Sequence, residues 1–237
     1  ATARSGQTLI RRYVAIRKHN IMLVVNTGKS MKAVTPTLED KTDVSIMIAG
    51  VMGYLAQKHG DLVSLVAGDD AGAHFIPLSG RNAQLEQMLQ YVDKRANAQS
   101  ANSNANRIFE YIARNIKRKM ILIVISDSIE VDDVQLTLLR RLRAQHEIMF
   151  VRINDFDPAN PEHLSSEVFD VQDPVLMPYF IRSHKTLFSE TQRKYQERNQ
   201  RNLKSLQRLG ISSVDVSSER EVIPKLFLLL EKQRHAK

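Results

Sequence analysis

The residues best suited to chemistry follow an unbroken apolar run near the start of the chain. Residues 21–25 are apolar at every position and lead directly into the polar turn Asn26-Thr27-Gly28-Lys29-Ser30. Such a run is typical of a strand that is buried on both faces of a parallel sheet. Open α/β sheets bind their ligands at the carboxyl ends of such strands. We therefore expect the turn to lie where a binding site would form.

The same turn matches a phosphate-binding loop only in part. Gly28-Lys29-Ser30 after a strand is the end of the P-loop pattern, but Leu23 stands where that pattern needs its first glycine. Without this glycine the backbone cannot wrap around a phosphate. The sequence therefore argues against nucleotide binding at this turn.

Strands and helices alternate along the rest of the chain. Apolar runs predict strands at residues 62–67, 73–78, 120–125, 147–153 and 211–216, and weaker patterns predict an edge strand at 7–16 and a short strand at 168–171. Helical spacing predicts helices at residues 42–59, 80–95, 106–117, 131–145 and 182–209, with a last helix from Ser217 or Ser218 to about 233. Asn106 is predicted to cap the helix that begins there. Residues 96–105 are low in complexity and predict a mobile loop. The alternation indicates one α/β domain over residues 1–237, with three layers and a mostly parallel sheet that has helices on both faces.

This arrangement resembles a von Willebrand factor A-like domain, whose first strand ends in an Asp-x-Ser-x-Ser turn. In that fold a Thr and an Asp from two later loops complete a divalent-cation site, the metal-ion-dependent adhesion site. Here Asn26 replaces the first Asp, Gly28 replaces the middle Ser, and Ser30 matches the last Ser. The resemblance places Asn106 at the Thr position and Asp127 at the later Asp position.

The metal-ligand candidates are therefore Ser30 and Asp127, in a site that has lost its other ligands. Hard cations prefer several oxygen ligands, some of them charged, and Lys29 adds a positive charge beside the turn. We expect no cofactor, although Mg²⁺ binding stays open, and the alternative is a hydrogen-bonded polar cluster that shapes the loops. The candidate interaction rim consists of Asn26, Gly28, Lys29, Ser30, Asn106 and Asp127.

Several different short motifs are spread along nearly the whole chain. They are Ala1-Thr2-Ala3-Arg4-Ser5-Gly6, Ile10-Arg11-Arg12-Tyr13, Arg17, Ser30-Met31, Gly60-Asp61-Leu62-Val63-Ser64-Leu65, Ser126-Asp127, and a late helix-Gly210-Ile211-strand-helix pattern. In order and spacing they resemble the bacterial family called domain of unknown function 58. The resemblance implies the C-terminal part of a longer, membrane-associated protein on the cytoplasmic side, or a cytoplasmic protein if no anchor precedes it. It also implies a protein partner, a MoxR-type AAA+ ATPase that acts in assembling or remodelling protein complexes.

Composition excludes several other classes of protein. The 237 residues include no cysteine, which excludes disulfides and thiolate chemistry. The formal charge is +8, but tryptophan is absent and basic residues are not interleaved with aromatic ones, so we expect no nucleic-acid partner. No apolar run approaches the ~20 residues that cross a bilayer. The chain is interpreted as a non-enzymatic protein-interaction domain without a small-molecule substrate.

Two other functions remain open from the sequence. A metal-dependent hydrolase would use Asp127 and nearby acids, and it would need Asp69 or Asp70 at the same edge of the sheet. The basic helix at residues 182–209 is either a solvated face or a docking face for an acidic partner or an anionic membrane surface.

Overall fold

The structure is a computed structural model that describes residues 18–97, 100–127, 133–155 and 185–235. Within these residues the strands are β1 (Asn20–Asn26), β2 (Leu62–Asp69), β3 (Gly72–Ser79), β4 (Ile121–Ser126), β5 (Glu147–Ile153) and β6 (Ser212–Val216). The helices are α1 (Lys41–Lys58), α2 (Asn82–Asn97), α3 (Ala105–Asn115), α4 (Asp133–Gln145), α5 (Lys185–Arg208) and α6 (Glu219–His235), with a 3₁₀ turn at Lys29–Lys32. No helix in these parts of the chain is both long and apolar enough to cross a bilayer.

The strands form one sheet in the order β3-β2-β1-β4-β5-β6. Every neighbouring pair is parallel except β2 and β3, which form an antiparallel hairpin. At the end of β1, Val25 pairs with Ala67 of β2 and with Ile125 of β4. The carboxyl ends of these three strands therefore meet at one edge of the sheet, which we call the carboxyl edge.

Both faces of the sheet are covered by helices. On β1, Leu23 and Val25 pack into a core shared with α1, α2 and α6, whereas Met22 and Val24 pack into a second core shared with α3, α4 and α5. Burial on both faces explains why residues 21–25 read as a continuous apolar run. Each fully buried Val or Leu contributes roughly 1.5–3 kcal/mol. The predicted three-layer α/β fold is confirmed.

The helix ends follow local capping chemistry. Asp40 caps α1, and its carboxylate accepts a hydrogen bond from the Thr42 backbone N–H at 2.7 Å. The cap of α3 is Asn104, whose side chain accepts from the Arg107 backbone N–H at 3.2 Å. The prediction that Asn106 caps this helix is therefore wrong by two residues, because only Asn104 has the extended backbone that a cap requires.

The predicted elements agree with the described ones to within two residues at each end that can be compared. The predicted strands at residues 7–16 and 168–171, the first two residues of the predicted helix at 131–145 and the first three residues of the predicted helix at 182–209 lie outside the described residues. Gly210, two residues after the end of α5, has a φ of +66°, as expected for a residue that ends a helix in the left-handed region.

Candidate functional site

The Asn26 side chain joins the carboxyl ends of β1 and β4. Its Oδ1 accepts a hydrogen bond from the Gly28 backbone N–H at 3.0 Å, which closes the turn after β1. Its Nδ2 donates to Asp127 Oδ1 and to Ser126 Oγ, both at 3.3 Å. An amide suits this position because one end must accept and the other must donate. A carboxylate here would instead face Asp127 as a like charge.

Gly28 is required because the backbone of Ser103 approaches it closely. A Cβ atom at Gly28 would lie 2.4 Å from Ser103 Cα and 2.6 Å from Ser103 N. Ser103 Oγ forms a hydrogen bond with Ser30 Oγ and accepts another from the Ser30 backbone N–H at 3.3 Å. The hydroxyl that reaches Ser30 from the second loop therefore belongs to Ser103.

The structure does not bring Asn106 to Asn26, Ser30 and Asp127. It lies in the first turn of α3, and its Oδ1 accepts a hydrogen bond from Gln135 Nε2 of α4 at 3.1 Å. Lys29 connects the turn after β1 to the loop before α3 through its backbone N–H, which donates to Ala101 O at 2.9 Å.

Residues 100–104, which the sequence predicts to be mobile, are anchored to two neighbouring turns. Ser100 is buried and its hydroxyl donates to Arg95 O at 3.1 Å. Asn102 O accepts a hydrogen bond from the Asp70 backbone N–H at 2.9 Å, in the turn between β2 and β3. The neighbouring Ala101 O accepts from the turn after β1. This part of the loop is therefore held in place rather than free.

The centre of the site is a lysine that is not predicted from the sequence. Lys41, the first residue of α1, is 0% exposed. Its Nζ donates to Ser30 O at 3.3 Å, to Asp127 Oδ2 at 3.4 Å and to Asp155 Oδ1. Burial lowers the pKa of Lys41 below its ordinary value of 10.5, and the Asp127 carboxylate opposes this by favouring the ammonium form.

We call this set of contacting side chains the rim cluster; its members are Asn26, Ser30, Lys41, Ser103, Asp127 and Asp155. Of these, Lys41, Ser103 and Asp155 escape sequence reasoning. The glycine at position 28 is a signal that another backbone comes close, but it does not say which one. A lysine one residue after a cap looks like an ordinary exposed residue at the start of a helix.

The residues of the rim cluster do not fit the divalent cation that the fold resemblance implies. Asp127 offers Oδ1 to Asn26 and Oδ2 to Lys41, while the Ser30 hydroxyl is bonded to Ser103. The oxygens that a hard cation needs are thus directed at protein donors, and one of these donors is an ammonium group. Among the described residues, no group of three or more Asp, Glu or His side chains is arranged to hold a metal.

The acids that a hydrolase would need are engaged in other contacts. Asp69 lies at the carboxyl edge and is fully buried, and its carboxylate accepts from Arg95 at 3.1 and 3.2 Å and from the Ala71 backbone N–H at 2.9 Å. Asp70 accepts from Asn104 Nδ2 at 2.7 Å. These two carboxylates hold the β2–β3 turn and residues 100–104 in place.

Exposed basic residues lie along α5, namely Arg193, Arg198, Arg201, Lys204 and Arg208. Arg193 forms an ion pair with Glu197 at 3.5 Å. The same helix buries Leu206 in the core. This arrangement fits both a solvated face and a docking face, so lipid binding by α5 stays a prediction.

Comparison with solved structures finds several that are similar to this chain. The chain is similar to conserved hypothetical protein BatB from Bacteroides thetaiotaomicron, with a TM-score of 0.53 and 8% identity over 90% of this chain and 99% of that one. It is also similar to PilB minor pilin from Streptococcus sanguinis, with a TM-score of 0.55 and 10% identity over 96% of this chain and 64% of that one. A von Willebrand factor type A protein from Catenulispora acidiphila has a TM-score of 0.47 and 11% identity over 91% of this chain and 43% of that one. The likeness to BatB and to PilB concerns the fold alone, because the identities are 8% and 10%.

No curated protein matches the chain. A family model, however, matches residues 1–175, which is most of the chain and includes β1, the turn after it and the complete rim cluster. The predicted resemblance to this family is thereby confirmed over residues 1–175. The chain belongs to the family described as Protein of unknown function DUF58.

Proposed function

We propose that this chain is a non-enzymatic protein-interaction domain that binds its partner through the loops at the carboxyl edge. The observation that carries the proposal is Leu38, in the loop between the 3₁₀ turn and α1. Leu38 is 62% exposed and has a φ of +64°. An exposed leucine alone needs no explanation. A leucine held in the left-handed region does, because this conformation costs roughly 1–2 kcal/mol for a residue with a Cβ atom.

The loop around Leu38 is fixed by hydrogen bonds on both sides. Thr35 is fully buried; its backbone N–H donates to Glu39 O at 2.8 Å, and its carbonyl accepts from the Leu38 N–H at 2.9 Å. Thr37 Oγ1 donates to Ser217 O at 3.0 Å, which ties the loop to the start of α6. These contacts hold the Leu38 backbone in its strained conformation.

A fixed apolar side chain at a loop tip is well suited to protein recognition. Binding costs less when the contact residue is already ordered, since little conformational freedom is lost. The same loop carries a second exposed apolar residue, Val34. The loop closes through a hydrogen bond from the Lys41 backbone N–H to Ala33 O at 3.2 Å. The loop that carries Leu38 therefore ends at Lys41, which belongs to the rim cluster.

The rim cluster supports a role in contact rather than in catalysis. In our proposal it is a degenerate adhesion site, which keeps the turn, the second loop and Asp127 of the von Willebrand factor A pattern but directs their polar atoms at one another. Hydrolysis is not favoured, because Asp69 and Asp70 are used to hold loops and Asp127 is paired with Lys41.

The family resemblance supports a MoxR-type AAA+ ATPase as the partner and a position on the cytoplasmic side of the membrane. The test is direct binding of the purified domain to the MoxR-type ATPase of the same organism, measured by biolayer interferometry. We expect Leu38→Gly to weaken binding about tenfold or more, since burying a leucine is worth roughly 1.5–3 kcal/mol.

The matched control is Tyr54→Ala. Tyr54 is also large and exposed, but it lies roughly 20 Å further along α1 at ~1.5 Å per residue, away from the carboxyl edge. We expect this variant to bind like the wild type. Equal binding by Leu38→Gly would reject this surface, and no binding by the wild type would reject the ATPase as the partner.

A further inference from the structure

The Nζ atom of Lys41 is surrounded by oxygen atoms from three separate segments. Ser30 O comes from the turn after β1, Asp127 Oδ2 from the end of β4, and Asp155 Oδ1 from the residues after β5. An ammonium group has three donors, and each of them has an acceptor here. The group therefore binds together the loops that follow three neighbouring strands of the sheet.

Charge explains how a lysine is tolerated at this depth. A buried ammonium without partners would be prohibitively unfavourable. The side chain of Asp127 is 2% exposed and that of Asp155 is 40% exposed, and both carboxylates contact Lys41. One positive charge thus lies between two negative charges, which is the arrangement of a cation site.

Other oxygen atoms of the rim cluster are engaged by hydrogen bonds within the protein. Asn26 Oδ1 accepts from the Gly28 N–H, and the Ser30 hydroxyl is bonded to Ser103. At position 26 the amide donates to Asp127 and so replaces a negative charge with a hydrogen-bond donor. This difference from the Asp-x-Ser-x-Ser pattern reduces the need for an external positive charge.

We propose that the Lys41 ammonium is a built-in cation, which holds the loops of the carboxyl edge together in the place where the resemblance leads one to expect a divalent metal. The domain then keeps one arrangement of its rim whether or not Mg²⁺ is available. This inference concerns how the rim is held, and it stands or falls independently of the partner named above.

The test titrates Mn²⁺ into the purified domain and follows bound and free metal by electron paramagnetic resonance, together with the melting temperature. We expect the wild type to leave millimolar Mn²⁺ free and its melting temperature unchanged. The double variant Asn26→Asp/Lys41→Ala removes the ammonium and adds a carboxylate. It should bind Mn²⁺ at least about tenfold more tightly than the wild type, because affinity for hard cations rises with the number of charged oxygen ligands.

The control is Asn26→Asp/Lys58→Ala, which makes the same change at Asn26 but removes an exposed lysine from the far end of α1. It should not gain the metal. Two results would overturn the proposal: Mn²⁺ binding by the wild type that disappears in Asp127→Ala, or a folded double variant that gains no metal. If the double variant does not fold, the wild-type titration decides. Free Mn²⁺ then supports the proposal, and bound Mn²⁺ that is lost in Asp127→Ala overturns it.

Discussion

Replacing Lys41 by methionine tests the buried ion pair of the rim cluster. Methionine has a similar length and helix propensity, so the change mainly removes the ammonium group. Asp127, whose side chain is 2% exposed, would keep its negative charge without its cationic partner. Removing one member of a buried ion pair typically costs about 3–5 kcal/mol. Asp155 is 40% exposed and can regain water, so we expect a value of about 3–4 kcal/mol.

The assay is urea-induced unfolding followed by circular dichroism, with a thermal melt as a second readout. For a chain of this size a loss of about 3–4 kcal/mol lowers the melting temperature by roughly 6–16 °C. The double variant Lys41→Met/Asp127→Asn should recover part of the loss, because the uncompensated charge is gone. The control Lys58→Met, in the same helix but exposed, should stay within about 0.5 kcal/mol of the wild type. A loss below about 1 kcal/mol for Lys41→Met, or strictly additive effects in the double variant, would refute the reasoning.

Three further predictions concern single features of the fold. Gly28→Ala should lower the free energy of unfolding by about 1–3 kcal/mol, because its Cβ atom would lie 2.4 Å from the Ser103 backbone. The control Gly50→Ala has its nearest contact at 3.4 Å and should be neutral or stabilising in the same urea assay. Leu38→Gly should leave the free energy of unfolding unchanged or raise it by up to about 1 kcal/mol, since glycine adopts a φ of +64° without strain; a clear loss in the thermal melt would show that the loop is not strained. His146 is buried and its Nδ1 accepts from the Met120 N–H at 3.2 Å, and burial lowers its pKa below 6.5. As the pH falls, His146 is protonated in the unfolded chain before it is protonated in the folded one. The stability that neutral His146 contributes is therefore complete above pH ~6.5 and is lost as the pH falls below that value. His146→Gln should reduce the drop in unfolding free energy between about pH 7 and 5.

The fold could be predicted because its determinants are local. Residues 21–25 are apolar at every position since β1 is buried on both faces. The helices are indicated by periodic apolar positions such as Val44 and Ile48 of α1. Parallel pairing of β1 with β2 and β4 then follows from the alternation of strands and helices. The ends of elements are less well encoded, because either of two nearby asparagines can cap a helix: the cap of α3 is Asn104 and not Asn106.

The site could be predicted only where the chain itself brings residues together at strand ends. Asn26 and Asp127 end neighbouring strands, so their proximity follows from topology. Lys41 contacts Asp127 across 86 positions of sequence, and Asp155 across 114. Such contacts depend on how α1 docks on the sheet, and no short-range pattern encodes them.

The most direct test of this account is a nuclear magnetic resonance measurement on the Lys41 side chain. A ¹⁵N-labelled sample, assigned with Lys41→Met, should show a slowly exchanging ammonium signal, because a buried –NH₃⁺ group with three acceptors is protected from water. We predict that equimolar Mn²⁺ leaves this signal in place. Selective loss of the signal by paramagnetic broadening would place a divalent ion beside Lys41 and contradict the conclusion that the lysine takes its place.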